Sequence, residues 1–227
     1  MSQNTDECRS ERLQFPLIIA AAGRSRRYGR PKLLEIVPGS SLTLIEHVVG
    51  ECSRGGAGPI VVVLGPDSEP HSAKIAAAVR ELGAIHRHVN PAPCEMRASV
   101  EQGIDMLESL IRQDVLSVPR HLSFAPADLP GLRSAYVAAL IETCRTRSET
   151  LIRGTTPEGR GIHPAAIAWR DRNLLRTLPP ECGLNRLWAN PETSRHDFVF
   201  GDDSDRHDLD NPQDWQKFSR LSDRIGE

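Results

Sequence analysis

No stretch of this sequence approaches the roughly 18 consecutive apolar residues of a membrane-spanning helix. The opening segment, MSQNTDECRSER, has no apolar core, so neither a signal peptide nor an anchor is expected there. Cysteine pairs are missing as well. Cys8, Cys52, Cys94, Cys144 and Cys182 are scattered, odd in number and without a C-x-x-C spacing, which argues against a zinc site and a disulfide framework. Reduced thiols in a cytoplasm are the expectation. The chain also lacks the positive excess of a nucleic-acid partner: its formal net charge is −2, so a small ligand is the better first expectation. Internal repeats, low-complexity blocks and interdomain linkers are absent too.

What is present is the composition of a globular chain. An apolar fraction of 39% and a charged fraction of 26% permit a sizeable core. Residues 1–12 are expected to be a disordered tail and 13–227 a single domain. Short apolar runs alternate with helical spacings. PLIIAAA (16–22) and PIVVVLG (59–65) are nearly all apolar, as strands covered on both faces are. IHRHVN (85–90), HLSFAPADLP (121–130), TLIRG (150–154), PAAIAW (164–169) and HDFVF (196–200) read as further strands. Helical spacing runs through 42–52, 69–82, 96–112 and 134–145, with shorter pieces at 170–178 and 184–190 and a last helix at 212–223. Strand–helix alternation implies a parallel sheet with helices on both faces, whose ligands bind beyond the carboxyl ends of the strands.

The loop after the first strand, GRSRRYGRPK, is therefore the first place to look. Gly23 and Gly29 let a ligand approach the main chain, and the exposed amides form a concavity for anions. Arg27 and Lys32 can add charge-assisted contacts to phosphate oxygens. A nucleoside triphosphate is the natural guest, although neither G-x-x-x-x-G-K-[ST] nor G-x-G-x-x-G occurs.

Residues 20–32, AAAGRSRRYGRPK, resemble L-A-A-G-x-S-x-R-M-G-x-x-K. That pattern is the N-terminal signature of the nucleotidyltransferases that include molybdenum cofactor cytidylyltransferase and guanylyltransferase. The resemblance continues in order along most of the chain. NPAPCEMRASVEQGI (90–104) is similar to the family's nucleotide-contacting segment, and FAPADLP (124–130) to the segment with a metal-binding aspartate. GRGIHPAAI (159–167) resembles the acceptor-side stretch, ECGLNRLW (181–188) the G-D-x-G-x-R-x-L segment, and DLDNPQDW (208–215) the closing D-I-D-T-P-E-D-L. Three residues depart from the pattern: Tyr28 stands for Met, Glu95 for the glycine before Met96, and Cys182 for aspartate.

The resemblance implies a Rossmann-like, three-layer α/β fold with a mostly parallel sheet, of nucleotidyltransferase type. It implies transfer of a nucleotide from an NTP to a small phosphorylated acceptor such as molybdopterin, with pyrophosphate released and Mg2+ as cofactor. Ala21, Ala22, Gly23, Ser25, Arg27, Lys32 and Ser99 would bind the nucleotide, and Arg27, Lys32 and Asp128 would serve catalysis. Asp128 and Asp210 would hold the metal, with Asp208 competing for the second place. His163 would face the acceptor, or else be a packed loop histidine; Ser99 would meet the nucleotide, or else cap the 96–112 helix. Trp169, Trp188 and Trp215 read as core. Ala21-Ala22-Gly23 goes with cytidine in the family, where Ala-Gly-Gly goes with guanosine, so CTP is expected. A transient contact with a molybdoenzyme or its chaperone is implied as well. A guanylyltransferase, another small-molecule nucleotidyltransferase and a nucleotide-binding paralogue weakened by Glu95 and Cys182 stay open as alternatives.

Overall fold

The computed structural model describes residues 14–23, 28–92, 95–179, 182–201, 213–215 and 218. Seven strands form a single sheet: β1 (Leu17–Ala21), β2 (Ile60–Leu64), β3 (Ile85–His88), β4 (His121–Pro126), β5 (Leu151–Thr155), β6 (Gly161–Ala168) and β7 (Arg195–Val199), in the order β3-β2-β1-β4-β6-β5-β7. Among the described residues, six helices with defined bounds accompany them: α1 (Leu44–Arg54), α2 (Ser72–Glu81), α3 (Met96–Arg112), α4 (Ser134–Thr146), α5 (Leu174–Thr177) and α6 (Asn185–Ala189). Short 3-10 turns lie at Lys32–Leu34 and Trp169–Asp171. Gln213, Asp214, Trp215 and Phe218 are helical, within the expected last helix; the remainder of that helix is outside the described residues. No described helix is long and apolar enough to cross a membrane.

The apolar runs become strands because both of their faces are covered. Along β1, Leu17, Ile19 and Ala21 join one buried cluster while Ile18 joins the other. Along β2, Ile60, Val62 and Leu64 alternate in the same way with Val61 and Val63. Helices α1, α2 and α4 cover the first face, and α3, α5 and α6 the second, so the molecule has three layers. Helix α3 comes especially close to the sheet. A Cβ placed on Gly103 would lie 2.5 Å from Ile18, so only glycine permits this approach.

The parallel expectation holds for β1, β2, β3 and β4, and for β5 beside β7. It fails for β6, which runs antiparallel to both β4 and β5. A helix-free return of only a few residues separates β5 from β6, too short for a parallel crossover. This strand also starts at Gly161, earlier than the expected 164, and so carries the segment GIHP within the sheet.

Candidate active site

The carboxyl ends of β1 and β4 lie side by side and bring three segments together. Ala127 donates its backbone N–H to the carbonyl of Ala20 at 3.1 Å, which ties the segment after β4 to the end of β1. Asp128 follows at once. Lys32 opens the 3-10 turn after the basic loop, a turn closed by backbone bonds from Leu34 to Pro31 and from Glu35 to Lys32. Gly29 has φ +76°, a left-handed conformation that side chains disfavour, so the glycine sets the course of this loop. Tyr28, where Met was the family residue, is buried and anchors the loop as an apolar side chain would.

A cavity of about 160 Å³ is lined by Ala21, Ala22, Gly23, Lys32, Ser99 and Asp128, all six of them expected site residues, together with Glu95 and Met96. Within it Lys32 Nζ donates to Asp128 Oδ2 at 2.5 Å, an ion pair whose side chains are 14% and 19% exposed. Ser99 is buried in the fourth residue of α3. The capping position belongs to Glu95, so the expectation of Ser99 as a helix cap is corrected: the residue lines a cavity from inside the helix. Ser25, Arg27, Asp208 and Asp210 lie outside the described residues.

Two larger cavities flank the first. One, of about 550 Å³, shares Ala21 and Gly23 with it and extends beneath Gly29 and Pro31 to Gly65 and Glu69. The other, of about 480 Å³, shares Glu95 and Met96 and continues between β6 and α6 past Arg153, Arg160, His163 and Trp188. His163 is therefore on an edge of a cavity and in strand β6; the packed loop histidine is corrected by the earlier start of that strand. Glu95 is exposed where the first and third cavities meet. Trp169 and Trp188 are buried, as core residues are, and Trp188 also walls this third cavity. Arg153 lies in none of the quoted motifs, and Arg160, although inside GRGIHPAAI, falls at a position for which the resemblance implies no role. The only signal was that Arg153 ends the apolar run TLIR, just where a strand would reach a ligand.

Among the described residues no group of three or more His, Cys, Asp or Glu side chains could hold a metal. One carboxylate still fits a hard divalent cation, because magnesium is commonly held by one or two carboxylates plus substrate phosphates and waters. Asp128 has that chemistry, at a strand end and inside a cavity.

Such a site defines an α/β protein with a glycine-bearing loop after β1, a carboxylate after β4 and two adjoining cavities at this end of the sheet. A profile of the MobA-like NTP transferase domain matches residues 17–197, and the chain belongs to this family of nucleotidyltransferases. No curated protein sequence matches it. Solved structures do. The crystal structure of Rv0371c from Mycobacterium tuberculosis H37Rv superposes with a TM-score of 0.74 at 18% identity, covering 91% of this chain and 98% of that one. Mth528, a nucleotidyl transferase from Methanothermobacter thermautotroptrophicus, gives 0.71 at 16% identity, covering 93% and 99%. CMP:2-keto-3-deoxy-manno-octonic acid synthetase complexed with CTP gives 0.67 at 15% identity, covering 93% and 99%. Rv0371c has also been solved with manganese, at a TM-score of 0.69 and 16% identity, with 91% and 98% covered. At these identities the likeness establishes the fold.

Proposed function

We propose that this nucleotidyltransferase transfers CMP from CTP to a phosphorylated acceptor, molybdopterin or its molybdenum-bearing form, with Mg2+ and release of pyrophosphate. The observation that carries this reading is the convergence of Ala21–Gly23, Lys32, Ser99 and Asp128 on one cavity that adjoins the cavity of His163. Ligand pockets are commonly 300–1,000 Å³, so a cavity of about 160 Å³ is too small for a whole nucleoside triphosphate. The adjoining space beneath Gly29 supplies the rest. The third cavity then takes the acceptor, across the Glu95–Met96 boundary.

Nucleotidyl transfer asks little of acid–base chemistry. An oxygen of the acceptor phosphate, already anionic, attacks the α-phosphorus in line. The bond from that phosphorus to the oxygen bridging the β-phosphate breaks, and pyrophosphate leaves. What the protein adds is alignment and fixed positive charge. Lys32 would hold phosphate oxygens, and Arg27, from the same loop in sequence, would be a second cation for them. Asp128 would hold a divalent cation, which when bound would screen the α-phosphate. The Lys32–Asp128 pair keeps both side chains in the cavity and gives each a partner until substrate arrives. A triphosphate draws Lys32 toward its own oxygens, and the carboxylate is freed to ligate. Asp210 is proposed as the second carboxylate.

Cytosine is favoured over guanine by size. Ala22 is 3% exposed, and its methyl narrows the smallest of the three cavities where a glycine would leave space. The CTP complex of a protein with this fold agrees with that choice. Melting the protein with CTP, GTP, ATP or UTP, with and without Mg2+, tests it: CTP with Mg2+ should stabilise most. A larger shift with GTP would overturn the cytidine assignment.

A further inference from the structure

Arg153 is held as a directed donor on the wall of the 480 Å³ cavity. Three neighbours from three different elements fix it. Its Nε and Nη2 donate to Oδ1 and Oδ2 of Asp197 at 3.2 and 3.3 Å, directly across the β5–β7 register. The guanidinium carbon lies 5.2 Å from the ring centroid of Trp188, over a buried indole that cannot shift far. On the remaining side stands Gly161 of β6. A Cβ there would lie 2.7 Å from Arg153 Nη1 and 3.1 Å from Cζ, so the missing side chain is the slot in which the guanidinium rests.

A guanidinium has five N–H donors in a planar fork, and the pair with Asp197 uses two of them on one edge. The side chain is still 21% exposed. Asp197 balances much of the charge, so what Arg153 offers a ligand is direction more than net attraction. Arg97 and Arg160 line the same cavity, each beside a carboxylate, Glu101 and Glu158 respectively.

We propose that Arg153 determines acceptor specificity, its remaining N–H groups binding an anionic oxygen of the acceptor while Asp197, Trp188 and the gap at Gly161 hold it in place. This rests on the assignment of the third cavity to the acceptor. Asp197 and Gly161 are positioning residues in this scheme. Both Arg153→Met, which removes the fork, and Gly161→Ala, which keeps the charge but displaces it, should act on the acceptor alone.

The test measures pyrophosphate release by the full chain, with KM determined separately for CTP and molybdopterin. Loss of a charge-assisted contact predicts a molybdopterin KM raised about tenfold or more in Arg153→Met, with the CTP KM held within about twofold. Gly161→Ala should move the same constant in the same direction by less, and Arg153→Lys should recover only part of the loss. Equal rises in both KM values would mean that Arg153 merely supports the fold, and would overturn the inference. A second arm does not depend on the acceptor's identity. With the nucleotide site filled by α,β-methylene-CTP, inorganic phosphate is titrated calorimetrically into wild type and Arg153→Met. Phosphate affinity about tenfold weaker in the variant supports the inference, even if molybdopterin proves not to be turned over, in which case only the named acceptor fails. Phosphate affinity that is absent or the same in both proteins overturns it.

Discussion

The cavity at the end of β1 and the cavity under β6 share a boundary at Glu95 and Met96 but are assembled in different ways. The first is built by segments that leave the ends of parallel strands, and within it Lys32 pairs with Asp128 at 2.5 Å. The second is built on the side of the sheet where β6 runs antiparallel, and its cation is wedged by strands, a helix and a missing side chain. A strand-end loop can move with a triphosphate, whereas a guanidinium held by Asp197 and Trp188 is preset. On the proposed reading, the difference teaches where each half of the reaction would get its precision: the nucleotide side by rearranging around charge, the acceptor side by a guanidinium set in place before the ligand arrives.

The sharpest way to break this division is at Asp128. Asp128→Asn keeps the size and removes the charge that would hold the cation. Losing one preorganised electrostatic group typically costs about 10²–10³ in kcat, and that range is expected here while the melting temperature stays near wild type. Pyrophosphate release under saturating CTP and molybdopterin checks it. A variant with ordinary turnover would take the cation site away from Asp128.

A smaller effect is expected from Lys32→Met, on the same side of the boundary. Charge-assisted hydrogen bonds contribute about 1.5–3 kcal/mol, so CTP affinity should fall roughly 10- to 100-fold with acceptor KM little changed. Calorimetric titration with CTP decides it, and unchanged affinity would remove Lys32 from the phosphate site.

Tyr136 sharpens the comparison from the other side. Its hydroxyl donates to the carbonyls of Ile162 and Pro164, at 3.2 and 2.8 Å, and accepts the N–H of Gly154 at 2.8 Å. Fully buried in α4, it ties β5 to β6 on either side of His163. Tyr136→Phe leaves those groups short of a partner, at a cost of about 1–3 kcal/mol in stability. Denaturant unfolding should show that loss, and kinetics should show a higher KM for the acceptor than for CTP relative to wild type. A rise confined to CTP would mean the two sides are not separable.

The mildest change is Ala22→Gly. A single methylene in a pocket is worth about 1–3 kcal/mol, and one methyl should sit at the low end, giving a partial shift of kcat/KM from CTP toward GTP. An unaltered ratio would move base selection to the 94–99 segment.

The same contrast explains what could be seen in advance. The cavity proposed for the nucleotide was legible because its lining residues come in contiguous segments: the end of β1, Lys32, the start of α3, and ADLP. Periodicity placed nearly all the strands and helices: β1 and β2, buried on both faces, are apolar throughout, while β3 and β7 at the sheet edges are partly exposed and mixed. The antiparallel course of β6 was not legible, since PAAIAW carries no mark of direction. Its early start was missed because Gly159 and Gly161 look like loop residues, while Gly161 in fact makes room for Arg153. Arg153, Asp197 and Trp188 are far apart in sequence, and only the order of β6, β5 and β7 brings them together.

The central claim is that a cytidylyl group passes from the cavity of Lys32 and Asp128 to an acceptor in the adjoining cavity. Its most direct test is pyrophosphate release by the wild-type chain with molybdopterin and Mg2+, run in parallel with CTP, GTP, ATP and UTP. Release should require both substrates, and kcat/KM should be highest for CTP. A wild type that prefers GTP, or one that releases no pyrophosphate with any of the four, would contradict it.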